Sequence, residues 1–186
     1  MLVEAFAARD EVSALELNVS CPNVESGLVM GADPGETAAL LARVRPLTAK
    51  PLIVKLTPNA SDVPAVAAAA EEAGADAVSL INTLRGMALR PDGSGPWLGG
   101  VTGGVSGPAV RAVALAQLHE VARRVQLPIV AMGGVQIGGH AKDLIRAGAT
   151  LVGVGTESFR DPAAGARVAR ELSSEVTDFA ASPRSR

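Results

Sequence analysis

The segment Ala14–Asn23 holds the residues best placed for chemistry, because it combines polar side chains with the one cysteine of the chain. Apolar and polar residues alternate from Leu15 to Ser20, which is the pattern of a strand with one apolar and one polar face. Pro22 disfavours helical geometry at Cys21, so the cysteine is predicted just past the end of the strand. There its thiol is either a reactive group or, as for most free cysteines, a small buried hydrophobe.

The other predicted strands also end in polar residues or glycine. In a (β/α)8 barrel the carboxyl ends of the strands form the active-site mouth, so residues at these ends are candidates for ligand contacts. Lys55 is the strongest candidate, since an ammonium group on an otherwise apolar strand is costly to bury without an anionic or electron-rich partner. The pairs at the five strand ends are Asn18 and Ser20, Lys55 and Thr57, Asn82 and Thr83, Gly133 and Gly134, and Gly155 and Thr156.

Two of these pairs, Gly133–Gly134 and Gly155–Thr156, follow the last two predicted strands. Many barrels bind phosphate at this point through backbone N–H groups. Glycine also serves tight βα turns for steric reasons alone, so the turns permit both interpretations. The same holds for Asn18 and Asn82, which either contact a ligand or hydrogen-bond to nearby backbone groups.

Strands and helices alternate along the chain, which predicts a parallel sheet with right-handed crossovers. The sequence Ala-Gly-Ala precedes two of the strands, at 73–75 and 147–149. This repetition favours an α/β fold of the (β/α)8 TIM-barrel type over a doubly wound sheet. About five βα units are present, so we predict an incomplete barrel, since closure takes eight strands and about 250 residues.

The bounds of the predicted elements follow from periodicity and from proline, glycine and capping residues. The predicted strands cover residues 14–20, 50–57, 77–82, 128–132 and 151–155, and the predicted helices cover 1–12, 34–47, 63–73, 108–125, 141–147 and 162–176. Residues 83–104 are rich in glycine, proline and serine without a hairpin signal, and we interpret them as a lid. Residues 1–176 are predicted to form one partial barrel domain, and residues 177–186 a disordered tail.

Composition limits the functions that the chain can serve. Its 186 residues are 48% apolar with a formal net charge of −2, which indicates a soluble globular chain of about one domain. It has no tyrosine, three phenylalanines and one tryptophan, and no basic stripe, which argues against nucleic-acid binding. A single cysteine excludes an internal disulfide, and the chain contains no apolar run of about 20 residues that would predict a membrane span. A cytoplasmic protein is therefore expected. No metal site is expected either.

Six motifs, taken in order, resemble those of class 1 dihydroorotate dehydrogenase. They are Leu17-Asn-Val-Ser-Cys-Pro-Asn23, Val54-Lys-Leu-Thr-Pro58, Ile81-Asn-Thr-Leu-Arg-Gly-Met87, Thr102-Gly-Gly-Val-Ser-Gly-Pro-Ala109, Met132-Gly-Gly134 and Val154-Gly-Thr156. The pairing of the third motif with the fourth resembles the class 1B catalytic subunit. The resemblance implies an FMN-bearing barrel that oxidises dihydroorotate to orotate in the synthesis of UMP. It also implies a homo-oligomer or heterotetramer with an FAD and iron–sulfur subunit that passes electrons to NAD.

The resemblance also implies roles for individual residues. Cys21 would be the catalytic base, whose thiolate removes the C5 proton of dihydroorotate while hydride passes from C6 to the flavin. The implied FMN-binding residues are Asn18, Lys55, Ile81, Gly107, Gly133, Gly134, Gly155 and Thr156. The implied substrate-binding residues are Asn18, Asn23, Asn82 and Thr83.

The chain departs from the family chiefly because family members carry about three more βα units ahead of its first strand, and also in the glycine-rich loop at residues 90–100. Two alternatives therefore stay open. One is another flavin-dependent barrel oxidoreductase, of the dihydropyrimidine or dihydrouridine type, and the other is an inactive truncated remnant. We expect the chain on its own, with two open sheet edges, to associate with itself and to oxidise no dihydroorotate.

Overall fold

The computed structural model describes residues 2–20 and 30–181. Within them the chain forms a parallel sheet, a short antiparallel ribbon and seven α-helices. The sheet strands are β1 (Leu15–Asn18), β2 (Leu52–Lys55), β3 (Ala77–Leu80), β6 (Ile129–Met132) and β7 (Leu151–Gly153), and the ribbon strands are β4 (Leu84–Gly86) and β5 (Gly103–Val105). The helices are α1 (Leu2–Ala7), α2 (Pro34–Val44), α3 (Val63–Glu72), α4 (Arg111–Ala122), α5 (Gly138–Arg146), α6 (Glu157–Arg160) and α7 (Ala164–Ala181).

The strand order across the sheet is β1-β2-β3-β6-β7, and every pairing in it is parallel. Parallel neighbours need a crossover connection, and helices supply it between consecutive sheet strands. The two edge strands are β1 and β7. The alternation of five parallel strands with helices confirms the predicted α/β class and is consistent with an incomplete barrel.

The two faces of the sheet differ in what covers them. Val54, Val78 and Ala131, on the three central strands, are each at most 1% exposed and belong to the main apolar core. Their neighbours along β2 and β6 point the other way and are only half-buried. That second face carries polar groups, and on it the Ser79 hydroxyl donates to the Glu16 carboxylate at 2.5 Å.

Two helices begin where their sequences predict. The Asp33 side chain accepts a hydrogen bond from the Glu36 N–H at 2.9 Å, immediately before α2. The Asp62 side chain accepts one from the Ala65 N–H at 2.8 Å, immediately before α3. Each cap satisfies a backbone donor that the first turn of a helix leaves unpaired. Local sequence signals therefore determine both starts.

The segment predicted to lack strands contains the β4–β5 ribbon, so that prediction is wrong. The two strands pair antiparallel, and Leu89 and Pro96 form a further bridge beyond them. Asn59 fixes the base of the ribbon, since its amide donates to the Thr83 carbonyl at 3.1 Å and accepts from the Arg85 N–H at 2.8 Å. Contacts from so distant a residue leave no trace in local periodicity. The function of the segment as a lid stays a prediction.

Several helix bounds also differ from prediction, and α1 ends at Ala7 rather than at residue 12. α5 begins at Gly138 rather than Ala141, because the Glu171 carboxylate of α7 accepts from the Gly138 N–H at 2.6 Å and so caps the helix from outside. α7 continues to Ala181 instead of ending near residue 176. Residues 182–186 lie outside the described residues, and the predicted domain boundary at 176 stays a prediction.

Asp76 ties β3 to β2 at the amino end of the sheet. Its Oδ2 accepts hydrogen bonds from the Leu52 N–H and from Arg45 Nη1, both at 2.7 Å. The Leu52 N–H first, and the Arg45 guanidinium after it, hold the pKa of this carboxyl below its ordinary value of 3.8.

We expect Asp76→Asn to lower the free energy of unfolding at neutral pH by about 0.5–1 kcal/mol. Because the folded pKa lies below the unfolded one, the carboxylate stabilises the fold above the ordinary pKa, and this contribution disappears as the pH falls through the folded pKa. Urea unfolding at about pH 7 and about pH 3 measures the difference, which should become smaller in acid. The exposed Asp10 supplies the control, Asp10→Asn, which should follow the wild type. A gap of equal size at both pH values would contradict this account.

Candidate active site

A cleft of about 200 Å³ opens at the carboxyl ends of the sheet strands. Its walls come from the end of β2 and from the segments that follow β3, β5, β6 and β7. Nine of the residues predicted for the site line it, namely Lys55, Ile81, Asn82, Thr83, Gly107, Gly133, Gly134, Gly155 and Thr156. This is the end at which (β/α)8 barrels place their active sites. Residues scattered over about half of the chain thus meet in one place.

Asn18 lies beside this cleft in a cluster of polar side chains. The Ser20 hydroxyl donates to Asn18 Oδ1 at 2.6 Å, and Asn82 Nδ2 donates to Asn18 Oδ1 at 3.2 Å and to the Ser20 hydroxyl. The Thr83 N–H donates to Asn82 Oδ1 at 2.8 Å, which fixes the orientation of that amide. Both asparagines are thus held in place. Asn18 is itself exposed beside the cleft.

Lys55 has unusually weak partners for a largely buried ammonium group. Its side chain is 15% exposed, and its Nζ lies 3.0 Å from Met132 Sδ and 4.0 Å from the Glu16 carboxylate. A thioether is a weak acceptor, and the Glu16 carboxylate also accepts from Ser79. The Lys55 ammonium therefore keeps donor capacity at the wall of the cleft, where an anionic or electron-rich ligand group would use it.

The two glycine turns differ in what requires glycine. Gly133 and Gly134 have φ of 137° and 71°, in the region that side chains disfavour. A Cβ at Gly134 would also lie 2.7 Å from Arg111 Cβ and 2.9 Å from the Gly107 carbonyl oxygen. Gly155 shows neither constraint, since a Cβ there would have no atom within 4 Å. The fold itself thus needs glycine at 134 but leaves open space at 155.

Three polar residues that line the cleft were missed by sequence reasoning: Ser106, Gln136 and Glu157. The Thr156 hydroxyl donates to the Ser106 hydroxyl at 2.9 Å, and Gln136 Nε2 donates to Glu157 Oε2 at 3.2 Å. A glutamate in the first turn of a helix is usually an exposed charge that interacts favourably with the helix dipole. Nothing in the sequence indicates that the Glu157 side chain is 6% exposed.

The predicted base Cys21 and the predicted substrate ligand Asn23 lie outside the described residues. The described chain stops at Ser20 and resumes at Met30. The Gly31 N–H donates to the Val19 carbonyl at 2.9 Å, so the chain on either side of the gap lies next to β1 and the Asn18 cluster.

The family model for dihydroorotate dehydrogenase matches residues 2–176. The chain belongs to the dihydroorotate dehydrogenase family. This finding confirms the resemblance carried by the six motifs, and it favours that family over the dihydropyrimidine and dihydrouridine alternatives.

Curated relatives agree with the family match. The chain is 49% identical to a protein of Citrifermentans bemidjiense over 168 residues, 50% to one of Trichlorobacter lovleyi over 172 and 47% to one of Geobacter sulfurreducens over 178. Each is named dihydroorotate dehydrogenase B (NAD(+)), catalytic subunit. The matches cover 90%, 92% and 95% of this chain but only 55%, 57% and 58% of the relatives. The chain thus spans little more than half of their length.

Solved structures of similar fold include two crystal structures of dihydroorotate dehydrogenase from Eimeria tenella. The complex with ferulenol has a TM-score of 0.75 at 23% identity, over 91% of this chain and 51% of the other. The ligand-free form has a TM-score of 0.77 at 22% identity, over 95% and 55%. At this identity the likeness shows the fold alone, and it confirms the barrel class.

Among the described helices, none has both the length and the apolar character needed to cross a bilayer.

The difference between the two turns predicts different effects on stability. Gly134→Ala should lower the free energy of unfolding by on the order of 2 kcal/mol, from left-handed strain and the contacts with Arg111 and Gly107. Gly155→Ala should change it by no more than about 0.5 kcal/mol. Urea unfolding without added ligand measures both values. Equal losses would show that the space at Gly155 is not open in solution.

Proposed function

We propose that this chain forms the FMN- and substrate-binding part of a dihydroorotate dehydrogenase, which oxidises dihydroorotate to orotate in pyrimidine synthesis. The main support is the cleft, which gathers nine predicted residues from separate βα units at the end of the sheet where barrels do chemistry. Family membership supports the same reaction.

FMN fits the chemistry of the cleft walls. The Gly133–Gly134 and Gly155–Thr156 turns offer backbone N–H groups, the Thr156 hydroxyl adds a further donor, and the room at Gly155 permits close approach of a phosphate. Lys55, with weak partners of its own, would contact the flavin together with Ile81, Gly107 and Asn18. When bound, FMN would supply the acceptor for the hydride that leaves C6 of dihydroorotate.

The chain's own polar residues would bind and deprotonate the substrate. Asn18, Asn82 and Thr83 present amide and hydroxyl groups that suit a planar pyrimidine with a carboxylate, and the cluster of Asn18, Ser20 and Asn82 holds them oriented before the substrate binds. Asn23 would add a further amide. Cys21, as thiolate, would take the C5 proton.

The proposed partners follow from the relatives' names, which specify a B-type enzyme, NAD(+) and a catalytic subunit. We propose that an FAD and iron–sulfur subunit passes the electrons to NAD, within a homo-oligomer or heterotetramer located in the cytoplasm. The residues that close the barrel would come from a longer protein, because the relatives are almost twice as long as the match. The inactivity expected of the chain on its own stays a prediction.

Binding of FMN and riboflavin tests the phosphate site. Gly155→Ala should lower the affinity for FMN by about tenfold, because its Cβ fills space that the phosphate needs. Its affinity for riboflavin, which has no phosphate, should stay unchanged. Titration of flavin fluorescence measures both affinities. Gly165→Ala, in the exposed first turn of α7 where a Cβ also meets no atom, is the matched control and should alter neither. Unchanged FMN affinity in Gly155→Ala would show that the phosphate does not bind at this turn.

The reaction is tested at Cys21. In a preparation whose flavin is reduced by dihydroorotate, Cys21→Ala should keep its flavin absorbance. The rate of flavin reduction should fall by a factor of about 10² or more, which is the usual effect of removing a general base. Cys21→Ser should regain rate only at high pH, because a hydroxyl is a far weaker acid than a thiol of pKa about 8.5. Stopped-flow absorbance measures the rate, and a normal rate for Cys21→Ala at neutral pH would sink the assignment.

A further inference from the structure

The two glycine turns belong to separate βα units, and the sheet ladder does not reach them. Pairing between β6 and β7 ends with Met132 opposite Gly153, before either turn begins. A phosphate bound by backbone groups of both turns needs them at a fixed spacing. That spacing therefore depends on contacts beyond the strands.

A buried carboxylate forms the first of these contacts. Glu157 comes directly after the Gly155–Thr156 turn, and its side chain is 6% exposed. Its Oε2 accepts from the side chain of Gln136, two residues after Gly134, at 3.2 Å. A carboxylate this buried is costly without cations nearby. Its Oε1 lies 3.1 Å from Arg160 Nη2 and 3.5 Å from Arg167 Nη2.

Arg167 of α7 connects both turns to the helix layer. Its Nη1 donates to the backbone carbonyl of Gln136 at 2.9 Å, while its Nη2 reaches Glu157. Its Nε donates to Asp161 at 2.9 Å, and Nη1 also donates to Glu171 at 3.2 Å. Glu171 in turn caps α5, the helix that follows the first turn. One planar guanidinium, with its donors in a fixed geometry, thus contacts the chain after β6 and the chain after β7.

The charges around Arg167 affect how an anion such as a phosphate would bind at the two turns. Three carboxylates, those of Glu157, Asp161 and Glu171, surround the guanidinium. Hydrogen bonds from Arg167 lower the pKa of Asp161, and the Gly138 N–H together with Arg167 lowers that of Glu171, so both stay charged near neutral pH. Glu157 lines the cleft beside the turns. Without Arg167 its carboxylate would keep only Arg160, whose side chain is largely exposed, as an ion-pair partner, and its repulsion of a phosphate there would increase.

We infer that Arg167 is a positioning residue, which holds the turns after β6 and β7 at the spacing that a phosphate requires and offsets the charge of Glu157. The inference rests on the proposed FMN site and deepens it. Arg167 is not among the residues that line the cleft, so it acts through Gln136 and Glu157.

The test compares FMN with riboflavin, whose ring is the same but which has no phosphate. Arg167→Gln should lower the affinity for FMN by about tenfold or more. Its affinity for riboflavin should stay within about twofold of the wild-type value. Arg170→Gln, which removes an exposed arginine from the same helix, is the control and should retain the wild-type ratio of the two affinities. Fluorescence titration gives the affinities, and thermal unfolding without ligand reports the stability of each variant.

Each outcome separates this inference from the proposed function. A wild type that binds riboflavin as tightly as FMN would refute the phosphate site itself. A wild-type preference for FMN that survives in Arg167→Gln, or an equal weakening of both ligands, would overturn only the role of Arg167. If Arg167→Gln does not fold, Arg167→Lys replaces it, because a lysine keeps the charge but cannot contact Gln136, Glu157 and Asp161 together. Arg167→Lys should lose part of the preference for FMN, and a full wild-type preference would overturn the inference.

Discussion

The candidate site depends above all on the register of the parallel backbone ladder. Asn18 pairs with Lys55, and Lys55 pairs with Ser79, so polar groups from three strands lie at one level of the sheet. A shift of one residue in any strand would turn its polar side chains toward the helices and its apolar side chains toward the cleft. Because all strands run in the same direction, each βα segment also emerges at the same end. The cleft is therefore a consequence of the topology before any ligand is considered.

Much of this could be predicted from the sequence because the signals are local. Strands such as β2 are short apolar runs entered through proline, and the caps Asp33 and Asp62 mark helix starts by contacts within three residues. Once alternating strands and helices indicate a parallel sheet, the clustering of strand-end residues follows. Asn82 could thus be assigned to the site although it contacts Asn18 across 64 positions of sequence.

The features that escaped prediction are set by tertiary contacts. The β4–β5 ribbon depends on Asn59, and the start of α5 depends on Glu171. Gly134 and Gly155 are alike as sequence signals, yet φ and the neighbours Arg111 and Gly107 constrain the first and leave the second free. A steric requirement of this kind depends on which backbone segments approach each other, and no pattern along a single chain records it.

The network around Arg167 also indicates how the proposed functions divide along the polypeptide. The two glycine turns, Gln136, Glu157 and Arg167 all lie between residues 133 and 171, within one continuous piece of the barrel. We therefore expect the proposed phosphate site to be complete in this chain, because the residues assigned to it and to its spacing all lie in that piece. Recognition of the flavin ring and substrate has a different basis, since Asn18 and Lys55 lie on the open face of the sheet, near its β1 edge. Of these two residues Asn18 is exposed, so a hydrogen bond from it to a ligand contributes less than in a closed site, whereas the Lys55 side chain is only 15% exposed. Preference for a phosphate should thus survive in this chain even where affinity for the ring is weak.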